Sequence, residues 1–326
     1  MITLERYLAL EKTAQQAGFS QIQILDVRSD LTISRSAEIF YADWLDARNQ
    51  ADMKYLESIS LRRILTSVFP QVQTLILFAW PYRFRAVEEQ LRAGSFKIAR
   101  YAWQIDYHLF LKDKIASLLT GFSKDFRVVT DSAPLMERYW ARRSGIGFIG
   151  RNGLLINQKS GSYFLIAAAF LGEEIGFQSE TTHLNSIDED FGAYCKNCAL
   201  CITACPTQAL HGDGTLNAAR CISWQTIEAR SENAMQSPKN HRWIFGCDIC
   251  QQVCPYNKGE QNFAQERFNF PNTVAPHLAR GELDQVLSVK NTPFARRGLK
   301  KIRQNVAQLA VLFQNRFNNF FNPEKK

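Results

Sequence analysis

Apolar positions in the first half of the chain switch repeatedly between helical and strand spacing. Thr3–Gly18 places Leu4, Tyr7, Leu8 and Leu10 at the intervals of a buried helix face, and Gly18 supplies a stop. Gln21–Leu25 reads as a strand. Val72–Trp80 is a fuller one, continuous enough in apolar residues to be covered on both faces. Tyr101–Leu119 has the period of a long amphipathic helix, and Phe126–Thr130 is a short strand that ends at Asp131. Leu154–Ile156 and Ser162–Leu171 read as a hairpin-like pair around Lys159–Ser162. Near Gly172–Ile187 the pattern turns polar and acidic. A cysteine-rich stretch then runs from about Asp188 to Asn257, a connector covers Phe263–Pro276, and short helices are predicted at Leu283–Val289 and Lys300–Phe313. The expected architecture is a mixed α/β domain with a central sheet over residues 1–175, a cysteine module over 176–270 and a basic helical tail over 271–326.

All eight cysteines belong to that module and fall into one pattern. Cys195, Cys198, Cys201 and Cys205 form C-x2-C-x2-C-x3-C before Pro206. Cys221 stands alone, and Cys247, Cys250 and Cys254 form C-x2-C-x3-C before Pro255. The first run has the two-cluster ferredoxin spacing, in which three thiolates bind one [4Fe–4S] cube and the fourth ligates the other. A tight C-x2-C-x2-C loop wraps three corners of a cube, and the next cysteine points away. The partition is therefore Cys195, Cys198, Cys201 and Cys254 for one cluster, and Cys205, Cys221, Cys247 and Cys250 for the other. Structural zinc is the competing reading of C-x2-C pairs, but it leaves the x3-C-P cysteines without a role. A disulfide framework has no secretory context to support it.

Composition adds bounds. At 326 residues, 46% hydrophobic and 21% charged, the chain has enough material for a substantial core. Met1–Lys12 carries Glu5, Arg6 and Glu11, which argues against a signal peptide, and the longest strongly apolar run, Tyr163–Leu171, is too short to span a bilayer. Cysteines suited to oxygen-sensitive clusters imply the cytoplasm. The net charge of +8 hints at a polyanionic partner. Its distribution sharpens the hint: Asn291–Lys326 holds Arg296, Arg297, Lys300, Lys301, Arg303, Arg316, Lys325 and Lys326 against Glu324. Such a run is either a solvated helix face or a nucleic-acid contact, and Asn305, Gln308, Gln314 and Asn315 could assist the second by meeting phosphate and sugar.

No G-x-G-x-x-G follows a strand and no P-loop is present, so a Rossmann-bound nucleotide is not supported. Gly145-Ile146-Gly147-Phe148-Ile149-Gly150 reads instead as a loop whose glycines let the backbone approach a planar ligand or another element closely. Asp131 ends an apolar strand, where open α/β sheets place their ligands, although it could equally cap the helix that follows. His108 is in no metal-ligand spacing and reads more readily as a packed or surface residue than as a ligand.

Several segments together resemble one family. Asp131-Ser132-Ala133-Pro134-Leu135-Met136-Glu137, Gly145–Asn152, Ala99-Arg100-Tyr101-Ala102 with Asp106-Tyr107-His108, Ser223–Glu228 and Ile244–Pro255 resemble the signatures of epoxyqueuosine reductases, in order along most of the chain. The resemblance implies a cobalamin-dependent oxidoreductase with two [4Fe–4S] clusters, related to reductive dehalogenases. Such enzymes reduce epoxyqueuosine to queuosine in the tRNA anticodon loop, the last step of that pathway. It implies that the N-terminal α/β domain holds cobalamin, that Asp131 is the proton donor, and that Tyr101, Asp131, Asn152, Ser223, Gln225 and Asp248 contact the corrinoid. The tRNA anticodon stem-loop would meet the basic tail, a flavodoxin- or ferredoxin-type donor would supply electrons, and the protein would be a monomer with no membrane association. Departures from the pattern are Gln104 in place of glycine, Trp224-Gln225 in place of Tyr-Leu, and Gly153 at a site often held by threonine or serine. The sequence stops at Lys326, where many relatives continue into helical repeats.

Two rival functions differ in what they leave unexplained. A corrinoid and iron–sulfur reductase of a small molecule, like a reductive dehalogenase, has no use for the basic tail, and the chain has no twin-arginine leader. A plain electron carrier needs only the cysteine module and leaves the first 190 or so residues without a purpose.

Overall fold

The computed structural model describes residues 1–83, 96–178, 193–230, 242–259, 277, 283–288, 290–294 and 298–320. Its strands in chain order are β1 (Gln21–Asp26), β2 (Thr74–Pro81), β3 (Lys97–Ile98), β4 (Phe126–Val129), β5 (Phe148–Ile149), β6 (Leu155–Ile156), β7 (Phe164–Leu171) and β8 (Trp243–Phe245). The helices are α1 (Leu4–Gln16), α2 (Arg35–Asp46), α3 (Ile59–Arg62), α4 (Tyr107–Leu119), α5 (Glu137–Arg143), α6 (Leu200–Ala204), α7 (Ile222–Ile227), α8 (Ile249–Gln252), α9 (Leu283–Ser288) and α10 (Leu299–Phe320).

The centre is a four-stranded sheet in the order β1-β2-β7-β4. Every pairing in it is antiparallel, with Ile24 opposite Ile76, Leu77 opposite Ala168 and Val128 opposite Ala169. β2 is buried on both faces, as its unbroken apolar run predicts. Leu75, Leu77 and Ala79 point into one core with Phe170, Trp140 and Val129. Ile76, Phe78 and Trp80 point into the other, against Tyr7 and Leu10 of α1 and Leu111, Ile115 and Leu119 of α4. Strand alternation thus sends successive residues to opposite cores. Burial on both faces is usual for parallel sheets; here helices cover an antiparallel one.

Local signals place most boundaries. Thr3 caps α1 by accepting from the backbone N–H of Arg6, and Gly18 ends it at a φ of 109°, which glycine adopts without strain. The long helix begins at Tyr107 rather than Tyr101. Asp106 accepts from the backbone N–H of His108 and caps it there, while Arg100–Ala102 forms a separate 3-10 turn. The hairpin expected around Lys159–Ser162 reduces to a single bridge between Asn157 and Gly161. β6 turns back to pair with β5, while β7 crosses to lie between β2 and β4. Eight mostly buried apolar positions of β7 find cover in the sheet interior that a two-residue partner could not give.

The cysteine module is joined to this body by polar and backbone contacts. β3 pairs in parallel with β8. Ser162 donates from its N–H to Asn257 Oδ1 at 2.7 Å and from its hydroxyl to Gln251 Oε1 at 2.9 Å. Asn257 Nδ2 reaches the Ser162 hydroxyl at 2.9 Å in turn. A Cβ at Gly161 would meet Asn257 Oδ1 at 2.1 Å, so this seam closes only over glycine. α10 docks by a face containing Ile302, Asn305 and Leu309. Asn305 is 1% exposed and donates from Nδ2 to the carbonyls of Thr226 and Ile244, both at 2.9 Å. That corrects its expected role: it fastens the tail helix and is not presented to a polyanion.

Candidate active site and cysteine clusters

Asp131 follows β4 at a φ of 52°, a left-handed conformation that few residues other than glycine tolerate. It does not cap α5, whose N-cap is Met136. The rule that ligands sit beyond the strands of open parallel sheets also fails to place it, since β4 lies at an antiparallel edge. What holds it is α4. The Tyr107 hydroxyl donates to Asp131 Oδ2 at 2.9 Å, and His108 Nε2 lies 3.5 Å from the same oxygen. On its other side His108 Nδ1 is 2.6 Å from Asp106 Oδ1. The side chains of His108 and Asp106 are 13% and 12% exposed, while that of Asp131 is 66% exposed. A row Asp106–His108–Asp131 therefore runs from the protein interior to an open carboxyl.

The electrostatics of the row are constrained. Asp106 accepts from the backbone N–H of His108 at 3.1 Å and, as a carboxylate, also takes the Nδ1 hydrogen. A neutral His108 then presents its Nε2 lone pair to Asp131, so a proton between them is needed to make that contact attractive. Burial, with the Asp131 charge second, holds the Tyr107 phenol far above its ordinary range, so Tyr107 stays a donor. Glu137, at the first turn of α5, is pushed up to about 7 by burial, with Asp131 adding to the effect.

The cysteines gather as two groups of free thiols. Cys195, Cys198, Cys201 and Cys254 all line one open hollow of about 220 Å³, together with Tyr194, Leu200 and Tyr256. Ile156 also lines it, and Phe148 packs against Ile156 and Cys254. Here the Gly145–Gly150 segment has its use: a Cβ at Gly147 would meet the Ile156 carbonyl at 2.3 Å, so only glycine lets β5 and β6 close under the hollow. Cys205, Cys221, Cys247 and Cys250 form the second neighbourhood. Burial pushes the thiols of Cys221, Cys247 and Cys250 up. The charge of Cys205 adds at Cys221, and those of Cys221 and Asp248 add at both Cys247 and Cys250. Among the described residues no three His, Cys, Asp or Glu side chains close around a single ion. Four thiols about a hollow of this size fit a polynuclear group, and soft sulfur donors are what iron–sulfur cubes take.

A row of aromatic rings links the second neighbourhood to the residue that holds Asp131. From the second cysteine group, Phe245 leads to Tyr101 at 6.2 Å between ring centroids, and Tyr101 to Tyr107 at 6.1 Å. Gln225, 2% exposed, donates to the carbonyls of Ala219 and Arg220, yet among the described residues its Oε1 is buried with no hydrogen-bond partner. A buried acceptor left unmatched is costly, and a bound group with donors would satisfy it. Ser223, half-buried on α7, lies two residues away. Asn152 lines the open hollow, and its Oδ1 accepts from the Leu154 N–H. Asp248, 1% exposed, gives Oδ2 to the backbone and guanidinium of Arg100 at 2.9 and 3.1 Å.

Comparison with known proteins places the chain in a family. Residues 194–257 match the 4Fe-4S double cluster binding domain, and residues 62–132 match "Epoxyqueuosine reductase QueG, DUF1730". An epoxyqueuosine reductase of Cyclobacterium marinum is 31% identical over 324 residues, covering 96% of this chain and 98% of the relative. The chain belongs to the epoxyqueuosine reductase family. A second curated family member, from Leadbetterella byssophila, is 35% identical over 239 residues, 70% of this chain and 73% of its own length. The solved epoxyqueuosine reductase of Streptococcus thermophilus has 27% identity and a TM-score of 0.70, covering 94% of this chain and 81% of that one. Another, determined with an epoxyqueuosine-modified tRNA-Tyr stem loop, shares the fold at 24% identity and a TM-score of 0.68, over 94% of this chain and 82% of its own.

Within the family pattern, the departures have local causes. Gly153 sits at a φ of 74°, and a Cβ there would lie 2.8 Å from the Gly214 carbonyl, which excludes the threonine or serine expected. Trp224 donates from Nε1 to Asp52 at 3.0 Å. The basic tail is visible in part. Lys300 and Arg303 are exposed on α10, whereas Arg296, Arg297, Lys325 and Lys326 lie outside the described residues. Sequence reasoning passed over His108. The Asp-Tyr-His spacing that puts a cap, a donor and an imidazole in one turn was the available signal. Among the described residues no helix is long and apolar enough to cross a membrane.

Proposed function

We propose that this chain performs the family reaction, reduction of epoxyqueuosine to queuosine in the tRNA anticodon loop, with Asp131 delivering a proton to the departing oxygen. The observation that carries the reading is Asp131 itself: an exposed carboxyl, held by Tyr107 and His108, in contact through Tyr107 and Tyr101 with the strand that leads into the second cysteine group.

Loss of the epoxide oxygen as water consumes two electrons and two protons and leaves a double bond. When bound, two [4Fe–4S] clusters supply low-potential single electrons and cobalamin supplies the cobalt centre for the reduction. Cys195, Cys198, Cys201 and Cys254 would hold one cluster, and Cys205, Cys221, Cys247 and Cys250 the other. Tyr101, Asp131, Asn152, Ser223, Gln225 and Asp248 would hold the corrinoid, with the unmatched Gln225 Oε1 as the clearest waiting acceptor.

The chain's own part is proton handling and positioning. Tyr107 fixes the Asp131 carboxyl by its hydroxyl, and the phenol does not compete as an acid because burial keeps it protonated. His108, oriented by Asp106, stands where it can return a proton to Asp131 after each turnover. The left-handed backbone at Asp131 is the strain that turns its side chain outward.

The working division is a catalytic domain over residues 1–175, a two-cluster module over 176–270 and a tRNA-facing tail over 271–326. In the tail, the exposed Lys300 and Arg303 supply salt-sensitive phosphate contacts. The protein acts as a monomer in the cytoplasm and takes electrons from a flavodoxin- or ferredoxin-type protein. The test is anaerobic turnover of tRNA carrying epoxyqueuosine, with reductant, with and without added cobalamin. Nucleosides are then digested and weighed. Cobalamin-dependent loss of one oxygen is expected; no product from protein loaded with both clusters and cobalamin would overturn the reading and favour a small-molecule reductase.

A further inference from the structure

The hollow formed by Cys195, Cys198, Cys201 and Cys254 has a rim unlike a sealed core. Tyr194 is 50% exposed and Leu200 47% exposed, and both line it. The Tyr194 and Tyr256 rings both lean on Phe148, at 4.6 and 5.3 Å between centroids, and the Tyr256 hydroxyl donates to the Tyr194 carbonyl at 3.1 Å. Phe148 is itself 7% exposed, so the two tyrosines stand on a fixed base. Among the described residues the charge here is basic: Arg151 is a lining residue, none of the lining residues is acidic, Lys196 lies within the cysteine loop, and Lys258 follows Tyr256 by two positions; both lysines are exposed.

Resting on the functional reading above, we propose that this rim is the docking surface for the electron donor, and that the donor is a small acidic one-electron carrier protein. Rigid aromatic side chains with a few exposed apolar neighbours suit a brief, specific contact of the small size that redox encounters use. One-signed charge around it steers an oppositely charged partner and raises its association rate. Electron transfer falls off steeply with distance, and a donor seated on this rim would sit beside the four cysteines that line the hollow. The reduced carrier gives up one electron, the cluster held by Cys195, Cys198, Cys201 and Cys254 gains it, and no bond is made or broken. A tRNA could also use lysines and exposed tyrosines, by phosphate contact and base stacking, so tRNA binding is read beside the donor rates.

The test compares the wild-type holoenzyme with Lys196→Glu/Lys258→Glu and with Tyr194→Ala, all checked for iron content. Reduced flavodoxin is the probe, cluster bleaching is followed by stopped flow, and reduced methyl viologen, a small cation that needs no docking surface, is the control. Flavodoxin should reduce the charge-reversed protein roughly tenfold more slowly at low salt, with the gap closing as salt rises. Tyr194→Ala should slow flavodoxin while keeping the wild-type salt dependence. Viologen reduction should be no slower in either variant, and tRNA binding should be unchanged. Flavodoxin rates equal to wild type, or a parallel loss with viologen, would overturn the docking surface. Weakened tRNA binding with normal flavodoxin rates would reassign the rim to RNA. Wild-type protein that holds no iron after cluster loading would instead remove the functional reading and this one with it.

Discussion

The sheet body and the cysteine module reach order by different means. In the body, two apolar clusters sandwich β2 and β7, and large side chains such as Trp80, Phe78 and Phe170 are fully buried. Around the module, the apolar clusters are small and shared with the body: Ile222 and Trp243 with Ala99 in one, Cys254 with Phe148 and Ile156 in the other. Apolar burial on that scale stabilises little against chain entropy, and most of the module's convergence is of thiols that ligands would join. The body is a scaffold that carries the proposed proton donor at its edge, and the module is a conductor whose stability is tied to what it conducts through.

The sharpest way to break this contrast is Cys221→Ala. It should lower iron from about eight to about four atoms per chain and abolish turnover, while the melting of the sheet body stays close to wild type. Retention of about eight irons by elemental analysis would break the ligand partition. The converse change is Phe170→Ala, in a side chain with 0% exposure. It should destabilise the body by about 3–5 kcal/mol by denaturant titration, with iron content in the folded protein unchanged. A loss under 1 kcal/mol would mean the core is looser than its burial indicates.

A smaller effect separates the site from both. Glu137, raised by burial to about 7 from an ordinary 4.5, binds its proton more tightly folded than unfolded. Its contribution to stability is therefore fully present below about pH 4.5 and is lost as pH rises through about 7. Glu137→Gln should remove that pH-dependent decline and leave the variant relatively more stable at pH 8. Identical pH–stability curves for the two proteins would show that Glu137 is not held protonated.

How much of this was legible in the sequence follows from the range of the interactions involved. α1, β2 and both cysteine runs were readable because a cap at Thr3, an unbroken apolar run and fixed thiol spacings are local. The place of β7 was not, since its partner β2 lies some ninety residues earlier and no turn signal names it. Asn305 looked like a polar tail residue because its acceptors, the carbonyls of Thr226 and Ile244, are distant in sequence. His108 was undervalued for the same reason. Asp106 lies two positions away, but the oxygen that gives the imidazole its meaning is on another element. Asp131 was singled out at a strand end and then by motif resemblance; its strand-end and helix-cap arguments both failed, against an antiparallel edge strand and a cap at Met136.

The central claim is that the exposed Asp131 carboxyl is the acid of the reaction, and Asp131→Asn tests it most directly. Wild type and variant, each loaded with clusters and cobalamin, would be followed side by side in single turnover on epoxyqueuosine tRNA, with iron and corrinoid quantified beforehand. The account predicts full cofactor content and a rate lower by roughly 10²–10⁴-fold. Turnover at the wild-type rate, with both cofactors bound, would contradict it.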